Sequence, residues 1–424
     1  MVNGKENTNY VLNCFTCGEK YNDLQKPMRR CKKCGGNLRI IYNYDKIARK
    51  INRRVLESRK PGVWKYKELL PLKNASKIIN LGEGGTKLHK CEKLAKILGV
   101  KELYAKDETR NPTGTFKDRP ATVGILKALE FNIKAVVIAS DGNAGPATAA
   151  YAAKAGLKCY VFMPVITPWE RIIQVEMFGG KVIRVEGTIS ECIDLLTKAQ
   201  EQYGWYQLTT AIPCNPYQAE GPKTIAYEIC EDLKWETPDW VVIPVGGGGL
   251  LTANWKGFRE FFRLGFIKKL PKIAAVQAEG CAPLVKAYNE RKKGEEIENW
   301  GIPESLAISI GVPFPLDGAS ALEAVKESKG YAVAVSDKEI LKMEKLLGET
   351  EGVFAEPAGI ASLAGVKKLI KEGVIKKEEK IVFEVTGSGL KDFQSAKKMC
   401  EKPPRIKVNL EEIESALKYW ENKR

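Results

Sequence analysis

From about residue 100 onward, short unbroken apolar runs alternate with helical patterns across short loops. The runs at 101–107, 134–140, 158–164, 181–187, 205–210, 239–245, 272–279, 331–335 and 380–386 read as strands. Several are continuous Val/Ile stretches, the pattern of strands covered on both faces. Their alternation with helical periodicity predicts an α/β chain with one or two open, mostly parallel sheets. Ahead of this region the pattern differs. Leu38, Ile40 and Tyr42 alternate, predicting a short β-ribbon within 9–43, read as a separate small unit, and 44–80 reads as a basic helix and a connector. At the other end, Leu410, Ile413, Leu417 and Trp420 give 409–421 an amphipathic helical period, expected in a core or interface. No apolar run is long enough to span a bilayer, and residue 1 onward lacks the basic-then-apolar pattern of a signal peptide, so a cytoplasmic protein is expected.

The helical period of Val123, Ile125, Leu126 and Leu129 begins directly after Asn111-Pro-Thr-Gly-Thr-Phe-Lys-Asp-Arg119. Pro112 and Gly114 make a turn, so Lys117 stands where a loop becomes a helix. Partial desolvation and neighbouring helix-terminal N–H groups lower a lysine's pKa there and suit it to Schiff-base chemistry. Three further loops follow strands, on the side where open α/β sheets bind ligands. Ser140-Asp-Gly-Asn-Ala-Gly145 can form an anion nest, with the Asn143 amide free to bond a ring hydroxyl. Gly246, Gly247, Gly248 and Gly249 let the backbone close around a phosphate at a helix N-terminus, and lack the Lys-Ser/Thr of a P-loop. In Val385-Thr-Gly-Ser-Gly389 the Thr386 hydroxyl can bond a pyridine nitrogen.

Composition narrows this picture. The 424 residues carry 68 Lys and Arg against 52 Asp and Glu, a net charge of +16. The basic residues are interleaved with Glu along the chain, the mark of solvated helix faces and of anionic small ligands more than of nucleic acid. With His89 as the single histidine, a multi-histidine metal centre is excluded. Cys14-x2-Cys17 and Cys31-x2-Cys34 flank a 13-residue insert, the spacing of a tetrahedral four-thiolate zinc site. Such a site has no open ligand position and is structural. Cys91, Cys159, Cys192, Cys214, Cys230, Cys281 and Cys400 show no ligand spacing and read as core.

The lysine motif closely resembles the pyridoxal 5'-phosphate (PLP) lysine segment of threonine synthases. The loops, in this order, resemble the fold-type II PLP enzymes of the tryptophan synthase β group, with closest likeness to threonine synthases bearing an N-terminal zinc ribbon. The likeness spans nearly the whole chain: the ribbon, Glu83-Gly-Gly-Thr86, the lysine motif, Asn215-Pro-Tyr217 with Glu220-Gly221 and Lys223-Thr224, the glycines, Glu356-Pro-Ala358, and Thr386-Gly387 with Gly389-Leu-Lys-Asp392. It implies that Lys117 is the Schiff-base lysine and proton shuttle, that Phe116 walls the cofactor, that Asn143 meets its ring hydroxyl, Gly246 to Gly249 its phosphate and Thr386 its ring nitrogen. It implies O-phospho-L-homoserine as an anionic amino-acid substrate, with Ser140 and Asp141 near its carboxylate and Thr86, Arg171, Asn215 and Lys223 as candidates for its phosphate. A homodimer is implied too. The implied layout is a zinc ribbon at 1–45, a large PLP-binding domain at 46–119 and 211–405, a small closing domain at 120–210 and a C-terminal helix at 406–424.

The chain departs from the family pattern at Asp141, Ala144, Gln218, Pro222, Leu250 and Ser388. A carboxylate at 141, where Ser or Thr is usual, would repel a substrate carboxylate unless protonated or turned away. The Asp-Gly-Asn element also resembles diaminopropionate ammonia-lyases, so a second reading is an ammonia-lyase or a β-replacing synthase on a serine-like or diamino acid. A third, from another class, is a zinc-ribbon nucleic-acid binder on the same scaffold.

Overall fold

The computed structural model describes residues 9–22 and 25–422; the parts of the expected ribbon at 1–8 and 23–24, and of the C-terminal helix at 423–424, lie outside them. Three sheets organise these residues. β1 (Tyr10–Cys14), β2 (Lys20–Tyr21) and β3 (Leu38–Tyr42) form an antiparallel ribbon in the order β2-β1-β3. β4 (Leu88–Lys90), β5 (Glu102–Asp107), β10 (Trp240–Pro244), β11 (Lys272–Ala278), β12 (Tyr331–Val335) and β13 (Lys380–Val385) form a six-stranded sheet in the order β12-β11-β10-β13-β5-β4. All of its pairs are parallel except β4 with β5. β6 (Ala135–Ala139), β7 (Lys158–Pro164), β8 (Lys181–Val185) and β9 (Tyr206–Gln207) form an all-parallel sheet in the order β8-β7-β6-β9.

Each apolar run read as a strand is one. β10 is buried along its whole length, as its lack of alternation requires. β4 escapes the pattern because three residues, Leu-His-Lys, are too short to show a period; His89 lies there, half-buried, with Nε2 3.3 Å from Asp107 Oδ2. β9 is shorter than its apolar run. After Leu208 N donates to Val137 O at 2.7 Å, the chain peels away, and the Thr209 hydroxyl takes over by accepting from Ala139 N at 3.1 Å.

The ribbon is not a separate unit. Its inward residues Tyr10, Leu12, Leu38, Ile40 and Tyr42 belong to the same buried cluster as Ile225, Ile229, Val241, Leu251 and Phe258. Tyr42 Oη donates to Glu220 Oε2 at 3.0 Å, Lys127 Nζ to Tyr10 Oη at 2.9 Å, and Lys256 Nζ to Ile40 O at 2.9 Å. Of the seven other cysteines, only Cys400 is exposed. The terminal helix Glu411–Glu421 forms as its period predicts, but no residue of it is buried, so it is not part of this chain's core. Among the described residues no helix is long and apolar enough to cross a membrane.

β13 carries a buried charge problem of its own. Both carboxyl oxygens of Glu384 are fully buried without a partner, as is Asn254 Oδ1, and the Asn254 side chain faces Glu384. Burial, aided by the Glu108 charge, pushes the Glu384 carboxyl well above its ordinary range. A proton on Glu384 can bond Asn254 Oδ1. A raised carboxyl pKa favours folding at low pH and costs stability as pH rises above the unfolded-state value. Glu384→Gln is therefore expected to raise Tm at pH 8, by the equivalent of roughly 1–3 kcal/mol, with the gain shrinking towards pH 4; thermal denaturation across that range checks it.

Candidate active site

Parallel strands bring their following loops to one edge. β5, β13 and β10 are neighbours in the large sheet, so the loops after Asp107, Val385 and Pro244 stand side by side. Thr115 bridges Gly387, and Phe116 N and Thr115 Oγ1 both donate to Thr386 O, at 3.1 and 3.0 Å. The turn ahead of Lys117 is closed locally. Gly114 sits at φ +75°, and Asp118 accepts from Thr113 N and Thr113 Oγ1, both at 2.8 Å.

Beneath it lies a buried ionic clamp. Arg119 binds Glu108 through Nε (2.6 Å) and Nη2 (2.7 Å), and Glu228 through Nη1 and Nη2 (both 2.7 Å). These paired bonds join the end of β5 to the helix Thr224–Asp232 and set the backbone at Lys117, two residues earlier. Glu83-Gly-Gly-Thr86 is tied to the same clamp: Gly85 N donates to Glu228 Oε1 at 2.8 Å, and Thr86 Oγ1 to Glu108 Oε1 at 2.5 Å.

Above the clamp is a cavity of about 480 Å³. Lys117, first in line before the helix Asp118–Glu130, points its amine into it. Nζ donates to Thr210 Oγ1 at 2.9 Å and lies 4.7 Å from the centre of the Phe116 ring. Burial lowers the Lys117 pKa to about 8, opposed by the carboxylates of Asp317, Asp141 and Glu356. No other lysine or arginine among the described residues lines the cavity.

All four glycines line it. A side chain at Gly248, which sits at φ +93°, would lie 2.9 Å from the Asp317 carbonyl; one at Gly247 would meet nothing within 4 Å and would project into open space. The helix Gly249–Arg263 starts there, with its first N–H groups towards the cavity end. Thr386 also lines the cavity, and its hydroxyl has no protein partner among the described residues. Asn143 also lines the cavity, but its amide donates to Glu356 Oε1, while Glu356 Oε2 is buried without a partner.

The substrate candidates divide. Ser140 and Asp141 line the cavity. Ser140 Oγ accepts from Gly142 N and Gly145 N, at 3.3 and 3.1 Å, so it caps the following helix. Asp141 is half-buried, and burial raises its pKa against the pull of Arg171 and Lys117. Arg171 is buried beside the cavity and donates to Ser309 Oγ at 3.1 Å. The other three do not reach the cavity. Thr86 is consumed by the clamp. Asn215 spends its side chain on Gln207 O and on the N–H groups of Tyr217 and Gln218. Lys223 is fully buried between Glu220 and Glu260, at 2.6 and 2.9 Å, under the Tyr42 ring.

The fold adds residues that sequence reasoning missed: Thr210, Ser309 and Asp317. Thr210 and Ser309 carry no motif. Asp317 stands before the helix Gly318–Glu327 like any helix-capping Asp, and its site role has no local signal. In the ribbon, the Sγ atoms of Cys14, Cys17, Cys31 and Cys34 all lie within 4.8 Å of one another, and Tyr21 Oη lies 3.1 Å from Cys31 Sγ.

A lysine at the mouth of a helix, a glycine cradle, and two open sheets meeting over one cavity define a fold-type II PLP-dependent enzyme. The family model for pyridoxal-phosphate dependent enzymes matches residues 79–387. The chain is 43% identical to a threonine synthase of Methanocaldococcus jannaschii over 406 residues, covering 96% of this chain and 98% of that one. It is 41% identical to a threonine synthase of Methanosarcina acetivorans, with the same coverage of 96% and 98%. The chain belongs to the threonine synthase family of PLP-dependent enzymes. The solved diaminopropionate ammonia lyase of Escherichia coli superimposes with a TM-score of 0.65 over 76% of this chain and 88% of that one, at 17% identity, a likeness of fold alone.

Proposed function

We propose that the protein converts O-phospho-L-homoserine and water to L-threonine and phosphate, with Lys117 as its Schiff-base lysine. The observation that carries this reading is the Lys117 amine, among the described residues the one cationic side chain lining a cavity that the four glycines also line. PLP, when bound, supplies the electron sink that lets bonds at the substrate Cα and Cβ break. The residues present fit it: an amine of lowered pKa, a cradle with open space at Gly247, a free Thr386 hydroxyl and an unpartnered Glu356 oxygen. The N–H groups of Gly246 to Gly249 and the helix behind them hold its phosphate. Phe116 would wall its ring, Thr386 would bond its nitrogen and Asn143 its ring hydroxyl.

Lys117 Nζ would anchor the cofactor and, once free, would take the Cα proton and return protons within the closed site. A neutral hydroxyl partner at the ring nitrogen limits charge delocalisation and favours elimination and replacement over transamination. Arg171 offers the guanidinium that receives the substrate phosphate. Ser140 shapes the loop for the substrate carboxylate, with Asp141 protonated or turned aside. Thr86, Asn215 and Lys223 act on architecture. The small sheet is the body of a closing domain at 120–210, set against a large domain at 46–119 and 211–405; closure excludes water until it is needed. The enzyme works as a cytoplasmic homodimer.

The four ribbon thiolates hold a structural Zn²⁺. A Zn–S bond of about 2.3 Å places tetrahedral sulfurs about 3.8 Å apart, close to the 3.4 Å between Cys14 and Cys34 and the 3.6 Å between Cys17 and Cys31. Tyr21 donates to Cys31 from outside the ligand set.

The deciding experiment adds O-phospho-L-homoserine, serine, threonine or 2,3-diaminopropionate to the holoenzyme and follows absorbance with phosphate and ammonia release. Phosphate with threonine as product is expected; ammonia release without phosphate would move the reaction to an ammonia-lyase. Asp141→Ser is expected to raise kcat/KM for phosphohomoserine at pH 8 by about fivefold, the removal of roughly 1 kcal/mol of repulsion. Steady-state kinetics check this, and an unchanged value would mean that Asp141 carries no charge towards the substrate.

A further inference from the structure

We propose that Asp317 is a positioning residue that ties the glycine cradle to Lys117 and sets the charge of the Lys117 amine. This rests on the reading of Lys117 as the Schiff-base lysine.

Asp317 touches both halves of the cofactor site. Its backbone N donates to Gly247 O at 2.9 Å, so it holds the peptide of the one glycine that faces open space. Its carbonyl and its Oδ2 each lie 2.9 Å from where a side chain at Gly248 or Gly249 would begin, so those positions are closed to any larger residue. Its carboxyl also accepts from Ile212 N, at 3.0 and 3.3 Å for the two oxygens. Ile212 lies two residues after Thr210, and Thr210 Oγ1 accepts from Lys117 Nζ at 2.9 Å. One buried residue thus holds the cradle through its backbone and, through its carboxyl, the segment that carries Thr210 and so the direction of the amine.

The charges around it give the second half of the argument. Lys117 is faced by the carboxyls of Asp317, Asp141 and Glu356, and Asp317 by Lys117 and the Cys214 thiol. Burial pulls Lys117 down to about 8, and Asp317 is the largest influence opposing that pull. Burial raises Asp317 to about 7, opposed by the Ile212 N–H and by Lys117. An anionic Asp317 therefore keeps the amine protonated in the empty site, and its removal lowers the Lys117 pKa further.

The test is the rate at which apoenzyme captures PLP between pH 6 and 9, read by the visible imine absorbance, for wild type and Asp317→Asn. The amide oxygen keeps the Ile212 bond while the charge is gone. Only the neutral amine reacts, so the midpoint of the pH profile is expected to move down, with capture raised by up to about twofold near pH 7.5, where Asp317 is largely ionised in wild type, and little changed at pH 6. Asp317→Ser, smaller and equally uncharged, is expected to show the same midpoint if the amide packs poorly. Thr210→Val, which alters no charge, is expected to slow capture with the midpoint unmoved. An unshifted midpoint in both Asp317 variants, with the absorbance still lost in Lys117→Ala, would overturn the role of Asp317 and leave the lysine reading standing. Absorbance that survives in Lys117→Ala would overturn both.

Discussion

Lys117→Ala is expected to abolish turnover, by at least about 10³-fold, and to remove the visible absorbance of bound PLP. Two functions vanish together: the covalent anchor and the group that moves protons between substrate carbons. No rescue from a neighbour is expected, because no other lysine or arginine among the described residues lines the cavity. Lys391, which faces Glu356, is bonded to Gln174 Oε1 at 2.7 Å and does not line the cavity. Lys117→Arg should be equally inactive, since a guanidinium keeps the charge but forms no imine. Neither change should destabilise the fold greatly, because the amine projects into the cavity and ends on a single hydroxyl. A Tm close to wild type with no turnover separates loss of chemistry from loss of structure; retained turnover in the alanine variant would remove Lys117 from its assigned role.

Removing the ribbon metal is expected to unfold more than the ribbon. The ribbon's inner face is part of the large buried cluster of the chain, and side-chain bonds from Tyr42 to Glu220, Lys127 to Tyr10 and Lys256 to Ile40 help fasten it to the body. One of those, from Lys127, reaches the helix that begins just after Lys117. Structural zinc contributes folding free energy directly. Chelation, or Cys31→Ser, should therefore lower stability by at least about 3 kcal/mol, roughly 3 °C in Tm for a chain of 424 residues. PLP binding should weaken with it. One zinc per chain by elemental analysis, absent from Cys31→Ser, checks the assignment. A chelated enzyme with unchanged Tm and full activity would show that the ribbon folds without metal.

Much of this architecture is written locally. The continuous Val/Ile runs declare buried strands because a strand covered on both faces has no polar position to alternate. The Cys-x2-Cys spacing declares a ligand set because two knuckles of that length bring four sulfurs together by their own turns. The glycine run and the Pro112–Gly114 turn declare backbone shapes that few other residues adopt. What failed was the assignment of polar side chains to the substrate. Thr86, Asn215 and Lys223 look like phosphate ligands in their loops, yet Asn215 is spent on backbone groups of its own turn and of Gln207, and distant carboxylates share the other two: Glu228, 142 residues on, for Thr86, and Glu260, 37 residues on, for Lys223. The same distance hid the groups that matter. Thr210 meets Lys117 across 93 residues, and Asp317 meets Ile212 across 105.

By itself, then, the sequence determined the order of strands and helices, the lysine at its turn before a helix, the glycine run after a strand and the cluster of thiols. Each depends on backbone preference or burial period over a few neighbouring residues. Only the tertiary structure decided which polar groups face the cavity and which are spent holding it together. A hydrogen bond or ion pair is chosen by what packing brings within about 3 Å, and the sheet order β12-β11-β10-β13-β5-β4, which no local pattern encodes, sets those encounters.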